Sequence, residues 1–162
     1  MIRNLTDQPA PDFDLEGSDG RRHRLADYAG KRLIVFFYPR DNTPGCTREA
    51  SSFRDLMPEF DRLDITLLGI SRDSLASHGK FIEAHDLNMV LLSDPDTLVM
   101  KAYGAFGEKS MYGKTVSGVI RSTVFICPDG IVRKHWTTVS KAEQHPAQVL
   151  EYIKEYHCDR RG

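Results

Sequence analysis

Apolar residues along this chain fall into two kinds of block, short continuous runs and longer stretches in which they recur every three or four positions. The run Leu33-Ile34-Val35-Phe36-Phe37-Tyr38 has strand length and is rich in branched and aromatic residues, as expected of a central strand covered on both faces; Pro39 ends it. After the loop Arg40 to Gly45, the positions Ala50, Phe53, Met57, Phe60 and Leu63 keep close to the helical period and predict a helix. Pro58 lies inside that pattern. By removing a backbone donor and crowding the carbonyl four residues back, it predicts a kink near Arg54. Ile65 to Ser71 then reads as a strand, Leu75 to Leu87 as a helix, Met89 to Leu92 as a strand and Thr97 to Tyr103 as a short helix, an alternation that implies parallel βαβ units.

Residues 13 to 27 read as a hairpin appended at the N-terminal side, because Phe13 and Leu15 lead into the turn signal Ser18-Asp19-Gly20 and then into a polar run before Leu25. Gly104 to Gly118 contains four glycines without periodicity and reads as a long loop ending at Arg121. Thr123 to Cys127 and Ile131 to Trp136 flank Pro128-Asp129-Gly130, a strong turn, and predict a second hairpin. A last helix from about Lys141 to Tyr156 presents Val149, Leu150, Ile153 and Tyr156 as its core face. This order is that of an α/β, thioredoxin-like fold, a central mixed sheet flanked by helices with an N-terminal β-hairpin extension. The 162 residues suit one domain over 1–162, able to bury roughly 70% of its unfolded surface.

Charge narrows the function classes. Lys plus Arg (22) nearly cancels Asp plus Glu (23), which leaves no footprint for a nucleic acid or an anionic membrane. Met1 to Gln8 carries Arg3, Asn4 and Asp7 and lacks a secretory apolar stretch, so a cytosolic location is expected. Cys46, Cys127 and Cys158 are widely spaced with no C-x-x-C pair, so neither a disulfide framework nor a zinc site is expected, and a reducing compartment fits. The six histidines are scattered without metal-ligand spacing, and no metal site is expected.

The candidate chemistry centres on Cys46, which falls where a buried strand gives way, through a Pro- and Gly-containing turn, to the first turn of a helix. Unpaired amides and the positive end of the helix dipole both favour a thiolate there, and helix starts can hold cysteine pKa values within roughly 3.5 to 7.5. The same amides form a cradle for an electron-rich oxygen. Thr43 offers a hydroxyl that can donate and accept, and Pro39 is apolar and lacks a donor, which would keep water off the sulfur. Taken singly, each also has a plain reading: Thr43 and Pro39 as turn residues, Cys46 as a small buried hydrophobe.

The segment Phe37-Tyr38-Pro39-Arg40-Asp41-Asn42-Thr43-Pro44-Gly45-Cys46-Thr47-Arg48-Glu49 resembles the active-site signature of peroxiredoxins, P-x-x-x-[TS]-x-x-C. The likeness continues through Leu92-Ser93-Asp94-Pro95-Asp96, Tyr112-Gly113-Lys114 and Gly118-Val119-Ile120-Arg121-Ser122-Thr123, and is greatest to the bacterioferritin comigratory protein subfamily. The resemblance implies that Cys46 is the peroxidatic cysteine, Thr43 its peroxide-binding hydroxyl, Arg121 the family's arginine and Pro39 its shield. Glu49, one helical turn beyond Cys46, is placed to hold Arg121, and Gly45 is a further supporting residue of the turn. Read without the resemblance, Arg121 is a surface strand residue; the plain alternative for Glu49 is an exposed helix residue. The implied reaction is attack of the Cys46 thiolate on a peroxide O–O bond, giving a sulfenic acid that a thiol then reduces. Hydrogen peroxide and small organic hydroperoxides are the implied substrates, and thioredoxin, glutaredoxin or glutathione the implied reductants. No cofactor is called for. The expected working state is a monomer, with a weak dimer as the other option, serving antioxidant defence.

Many members of that subfamily carry a resolving cysteine five residues after the peroxidatic one, where this chain has Ser51, and others carry it on the next helix, which here has none. A one-cysteine cycle with an external thiol is therefore expected. Cys127 reads as a buried, inert thiol within a hairpin strand, and Cys158, in the charged tail Cys158-Asp159-Arg160-Arg161, as a weak candidate for resolution. The competing readings are a thiol-disulfide oxidoreductase, which would need a second thiol beside Cys46, and a non-enzymatic module on the same fold.

Overall fold

The structure, a computed structural model, describes residues 3–158. Its elements are β1 (Asp14–Gly17), β2 (Arg22–Arg24), β3 (Arg32–Phe37), α1 (Pro44–Arg62), β4 (Ile65–Ser71), α2 (Leu75–His85), β5 (Val90–Ser93), α3 (Leu98–Ala102), β6 (Phe106–Met111), β7 (Lys114–Val119), β8 (Ser122–Ile126), β9 (Val132–Trp136) and α4 (His145–Glu155). Seven strands make one mixed sheet in the order β2-β1-β5-β4-β3-β8-β9. The pairs β3/β4 and β4/β5 are parallel, as the βαβ alternation requires, and the remaining pairs are antiparallel. The N-terminal hairpin is not a loose appendage, because β1 pairs with β5 and so extends the main sheet. No helix among the described residues is long and apolar enough to cross a membrane.

The continuous apolar run of β3 follows from its central place. Ile34, Phe36 and Tyr38 join Phe53, Phe60, Phe81, Val149 and Ile153 in a core on the face that carries α1 and α4. Leu33, Val35 and Phe37 point the other way, into a second core with Leu68, Met100, Tyr103 and Val124. Period-2 alternation thus feeds two cores from one strand, and each fully buried Phe or Leu contributes about 1.5–3 kcal/mol.

Helix α1 runs unbroken through Pro58. The Arg54 carbonyl, which Pro58 cannot serve, accepts instead from Asn88 Nδ2 at 3.3 Å, so a side chain replaces the lost helix bond. The stretch read as a long loop, Gly104 to Gly118, corrects to a two-stranded ribbon: β6 pairs with β7 through a turn in which Tyr112 (φ 54°) and Gly113 (φ 77°) are both left-handed. Nearly all of β7 is exposed, so the ribbon carries no apolar alternation and left no pattern to read.

The three cysteines also correct the sequence reading. Cys127 and Cys158 are joined in a disulfide, with Cα atoms 5.6 Å apart, and only Cys46 is free. Cys127 lies just past β8 rather than within it, where the turn to β9 begins; Cys158 follows α4, which returns the chain to the same end of the sheet. The tail residues Asp159 to Arg161 lie outside the described part of the chain.

Candidate active site

Thr43 is the N-cap of α1 and Pro44 occupies its first position, where a missing N–H costs nothing, so Cys46 stands in the first helical turn. The first intrahelical bond here is donated by the Thr47 amide to the Thr43 carbonyl, at 2.8 Å. The amides ahead of it have no carbonyl within the helix to serve and remain at the positive end of the dipole. Thr43 does not cap with its side chain: its hydroxyl donates to the Arg40 carbonyl at 2.8 Å, and its lone pairs remain free to accept.

Arg121 immediately precedes β8 and comes to Cys46 across 75 residues of sequence. Its Nη2 donates to Cys46 Sγ at 3.3 Å and its Nη1 to Glu49 Oε1 at 2.7 Å. A fixed guanidinium fork suits this double contact, and an ammonium would not reproduce it. The surface readings of both residues are thereby set aside, since the Arg121 side chain is 16% exposed and that of Glu49 is 0% exposed. Gly45 leaves room for the fork: a Cβ there would come within 3.2 Å of Arg121 Nη2. Cys46 itself is buried, and Pro39 is half-buried at the end of β3.

Burial raises the Glu49 carboxyl to about 7 and outweighs the opposing pull of Arg121. Its second oxygen, Oε2, is buried with no hydrogen-bond partner among the described residues, which agrees with a carboxyl that holds a proton near neutrality. Burial lowers Arg121 while Glu49 and Cys46 raise it, and the charges win. His145, against Phe53 and 2.8 Å from the Thr123 hydroxyl, is depressed to about 4 by burial and then by Arg121, so Arg121 is the cation beside the sulfur at neutral pH. A cleft of about 360 Å³ opens on Gly45, Arg48 and Arg121, and its other wall is the segment Ser140 to Gln144 that leads into α4.

Sequence reading missed what holds the loop ahead of Cys46. Asp41 is buried there, accepting from the Tyr38 hydroxyl at 2.6 Å and from the Ser77 hydroxyl at 2.8 Å, with His78 Nδ1 2.7 Å away. His78 Nε2 lies 2.9 Å from the Leu92 carbonyl, an atom that can only accept, so that nitrogen carries a proton. The Asp41 amide donates to Asp73 at 2.8 Å, and Ser71 bonds the same carboxylate. Burial, then Asp41, pushes the Tyr38 hydroxyl well above its ordinary range. These partners lie up to 37 residues apart on different elements, and no periodicity links them.

The model of the AhpC/TSA family matches residues 6–135. The chain is 41% identical over 148 residues to the peroxiredoxin Bcp of Bacillus subtilis, covering 91% of this chain and 94% of that one. The chain belongs to this family. With relatives of that kind over nearly its whole length, it is a Bcp-type peroxiredoxin, a thiol-dependent peroxidase. Its fold is similar to that of the bacterioferritin comigratory protein of Xanthomonas campestris, studied for its alkyl peroxide reduction activity. The TM-score is 0.82 and the identity 38%, covering 95% of each chain. A yeast mitochondrial 1-Cys peroxiredoxin, studied for thiol resolution through glutathione and thioredoxin systems, is similar at a TM-score of 0.77 and 28% identity, covering 95% of this chain and 76% of that one.

Proposed function

We propose that this peroxiredoxin, as one domain over residues 1–162, reduces hydrogen peroxide and small organic hydroperoxides at Cys46 by a one-cysteine cycle. The observation that carries the reading is the Arg121 fork, which touches the sulfur with one nitrogen and the buried Glu49 with another. The Cys46 thiolate attacks one peroxide oxygen and the O–O bond breaks. The product is Cys46 sulfenic acid, and the departing oxygen takes a proton and leaves as water or an alcohol. Arg121 stabilises the sulfur before attack and the oxygen charge during it, while the first-turn amides of α1 and the Thr43 hydroxyl hold the peroxide in line. Pro39 limits water at the sulfur. No cofactor enters, because the sulfur itself is oxidised and restored.

Resolution falls to an external thiol. Ser51 stands where many relatives have a cysteine, α2 has none, and Cys127 and Cys158 are bound to each other. Register places that disulfide at the opposite end of β3 from Cys46, because Leu33 faces Ile126 and Phe37 faces Ser122. Four strand residues separate the two ends by about 13 Å. A first thiol condenses with the sulfenic acid, releasing water and leaving a mixed disulfide, and a second thiol releases Cys46. Glutathione, glutaredoxin and thioredoxin are the reductants of suitable chemistry. The yeast relative's glutathione and thioredoxin systems favour this class. We take the site as competent in the monomer, since every side chain named comes from one chain, and the cytosol as the compartment, since each turnover needs reducing thiol.

Peroxide consumption by variants tests the assignment. Cys46→Ser should abolish it, while Cys127→Ser and Cys158→Ser should leave the rate of the peroxide step within about threefold. Retained turnover in Cys46→Ser would refute the role of this sulfur.

A further inference from the structure

We propose that the Cys127–Cys158 disulfide is a second redox site of this protein, open to exchange with a small anionic thiol at Cys158. The two sulfurs are unlike in access. Cys127 is 1% exposed and packs in the core beneath α4, whereas Cys158 is half-buried. An incoming thiolate therefore reaches Cys158 Sγ, not Cys127.

Cys158 forms part of the wall of a cleft of about 400 Å³, within the size range of small-molecule sites. Lys31, Arg32 and His157 line it together with Asp64. Arg32 is held in place by its bond to the Leu63 carbonyl, and Lys31 and His157 are exposed. Two cations and a titratable imidazole suit carboxylates, and Asp64 suits an ammonium. That set matches a thiol of tripeptide size bearing two carboxylates and one amine, the chemistry of glutathione. A neutral thiol gains nothing from those charges.

The exchange balances without a further reagent. The thiolate forms a bond to Cys158 Sγ as the Cys127–Cys158 bond breaks, and Cys127 leaves as a thiolate that takes up a proton. A second thiol then displaces the first from Cys158. Two thiols are oxidised to one external disulfide, and the protein disulfide gains two electrons and two protons. The external disulfide reverses both steps, so the site follows the poise of the thiol pool. Because the cleft lies at the far end of the sheet from Cys46, this exchange does not occupy the peroxide site.

The test uses Cys46→Ser, in which peroxide chemistry is silent, so its outcome is independent of the function proposed for Cys46. Native protein is incubated with glutathione, quenched with an alkylating agent and mapped by mass. The proposal expects a transient glutathione adduct on Cys158 that gives way to loss of the disulfide with two alkylated cysteines per chain, and, in Cys46→Ser/Cys127→Ser incubated with oxidised glutathione, the same adduct on Cys158 with release of one glutathione. Lys31→Gln should slow reduction by glutathione about fivefold, the effect of losing one nearby charge in water, and leave reduction by 2-mercaptoethanol unchanged. A disulfide that yields only after denaturant, an adduct on Cys127, or equal slowing of both thiols would overturn the proposal.

Discussion

The Arg121 guanidinium directs one nitrogen to Cys46 and another to Glu49, so a change at either partner alters how the third is held. Arg121→Met removes the donor aimed at developing charge, and the second-order rate constant for peroxide should fall on the order of 100-fold or more. Constants within threefold of wild type would take Arg121 out of the mechanism. Glu49 gives a separate, pH-dependent signal. Its folded value of about 7 stands above the ordinary 4.5, so the folded state favours the protonated form. That contribution is fully present below about 4.5 and is lost as pH rises through about 7, amounting to at most about 3 kcal/mol. Relative to Glu49→Gln, which keeps an acceptor for Arg121, wild-type stability should decline across this window; parallel curves in denaturant titrations at several pH values would contradict it. Cys46, Thr43 and Pro39 were legible because they lie within eight residues of one another and carry one signature. Arg121 was legible only through a resemblance, and Glu49 only from its place one helical turn past Cys46, since burial makes them a pair and burial is a tertiary property.

At the scale of elements, the loop between β3 and α1 must place a hydroxyl and a helix start correctly, and Asp41 is the side chain that pins it to α2 through Ser77 and His78. Asp41→Ala leaves the Tyr38 hydroxyl buried without its acceptor and takes away the carboxylate 2.7 Å from His78 Nδ1. Leaving a buried donor unsatisfied costs about 1–3 kcal/mol. Chemical denaturation should register a loss of that order; a change below about 1 kcal/mol would show that the network does not hold the loop. Strands and helices with a buried face were read within a few residues, because one solvent-free side imposes a period. The β6–β7 ribbon has no such side, and its glycines suggested a loop where backbone pairing makes strands. Pro58 predicted a kink near Arg54; α1 is continuous through it, and Asn88, supplied by a distant element, serves the carbonyl that Pro58 leaves.

Across the whole molecule, β3 separates two cores and also two redox centres, with Cys46 beyond its C-terminal end and the Cys127–Cys158 disulfide beside its start. The apolar run marked this strand as central, and the order of elements specified a mixed sheet. The disulfide was not legible, because its cysteines meet only once α4 has packed on α1 and returned the chain across 31 residues. That pairing bears directly on the one-cysteine cycle: while formed, it withholds both other sulfurs from Cys46, and the length of β3 separates them from it in either redox state. Intact mass and non-reducing peptide mapping after one equivalent of peroxide test this most directly. The account predicts one added oxygen, trapped as a sulfenic acid adduct on Cys46, with the Cys127–Cys158 disulfide unchanged; a stoichiometric disulfide joining Cys46 to Cys127 or Cys158 would contradict it.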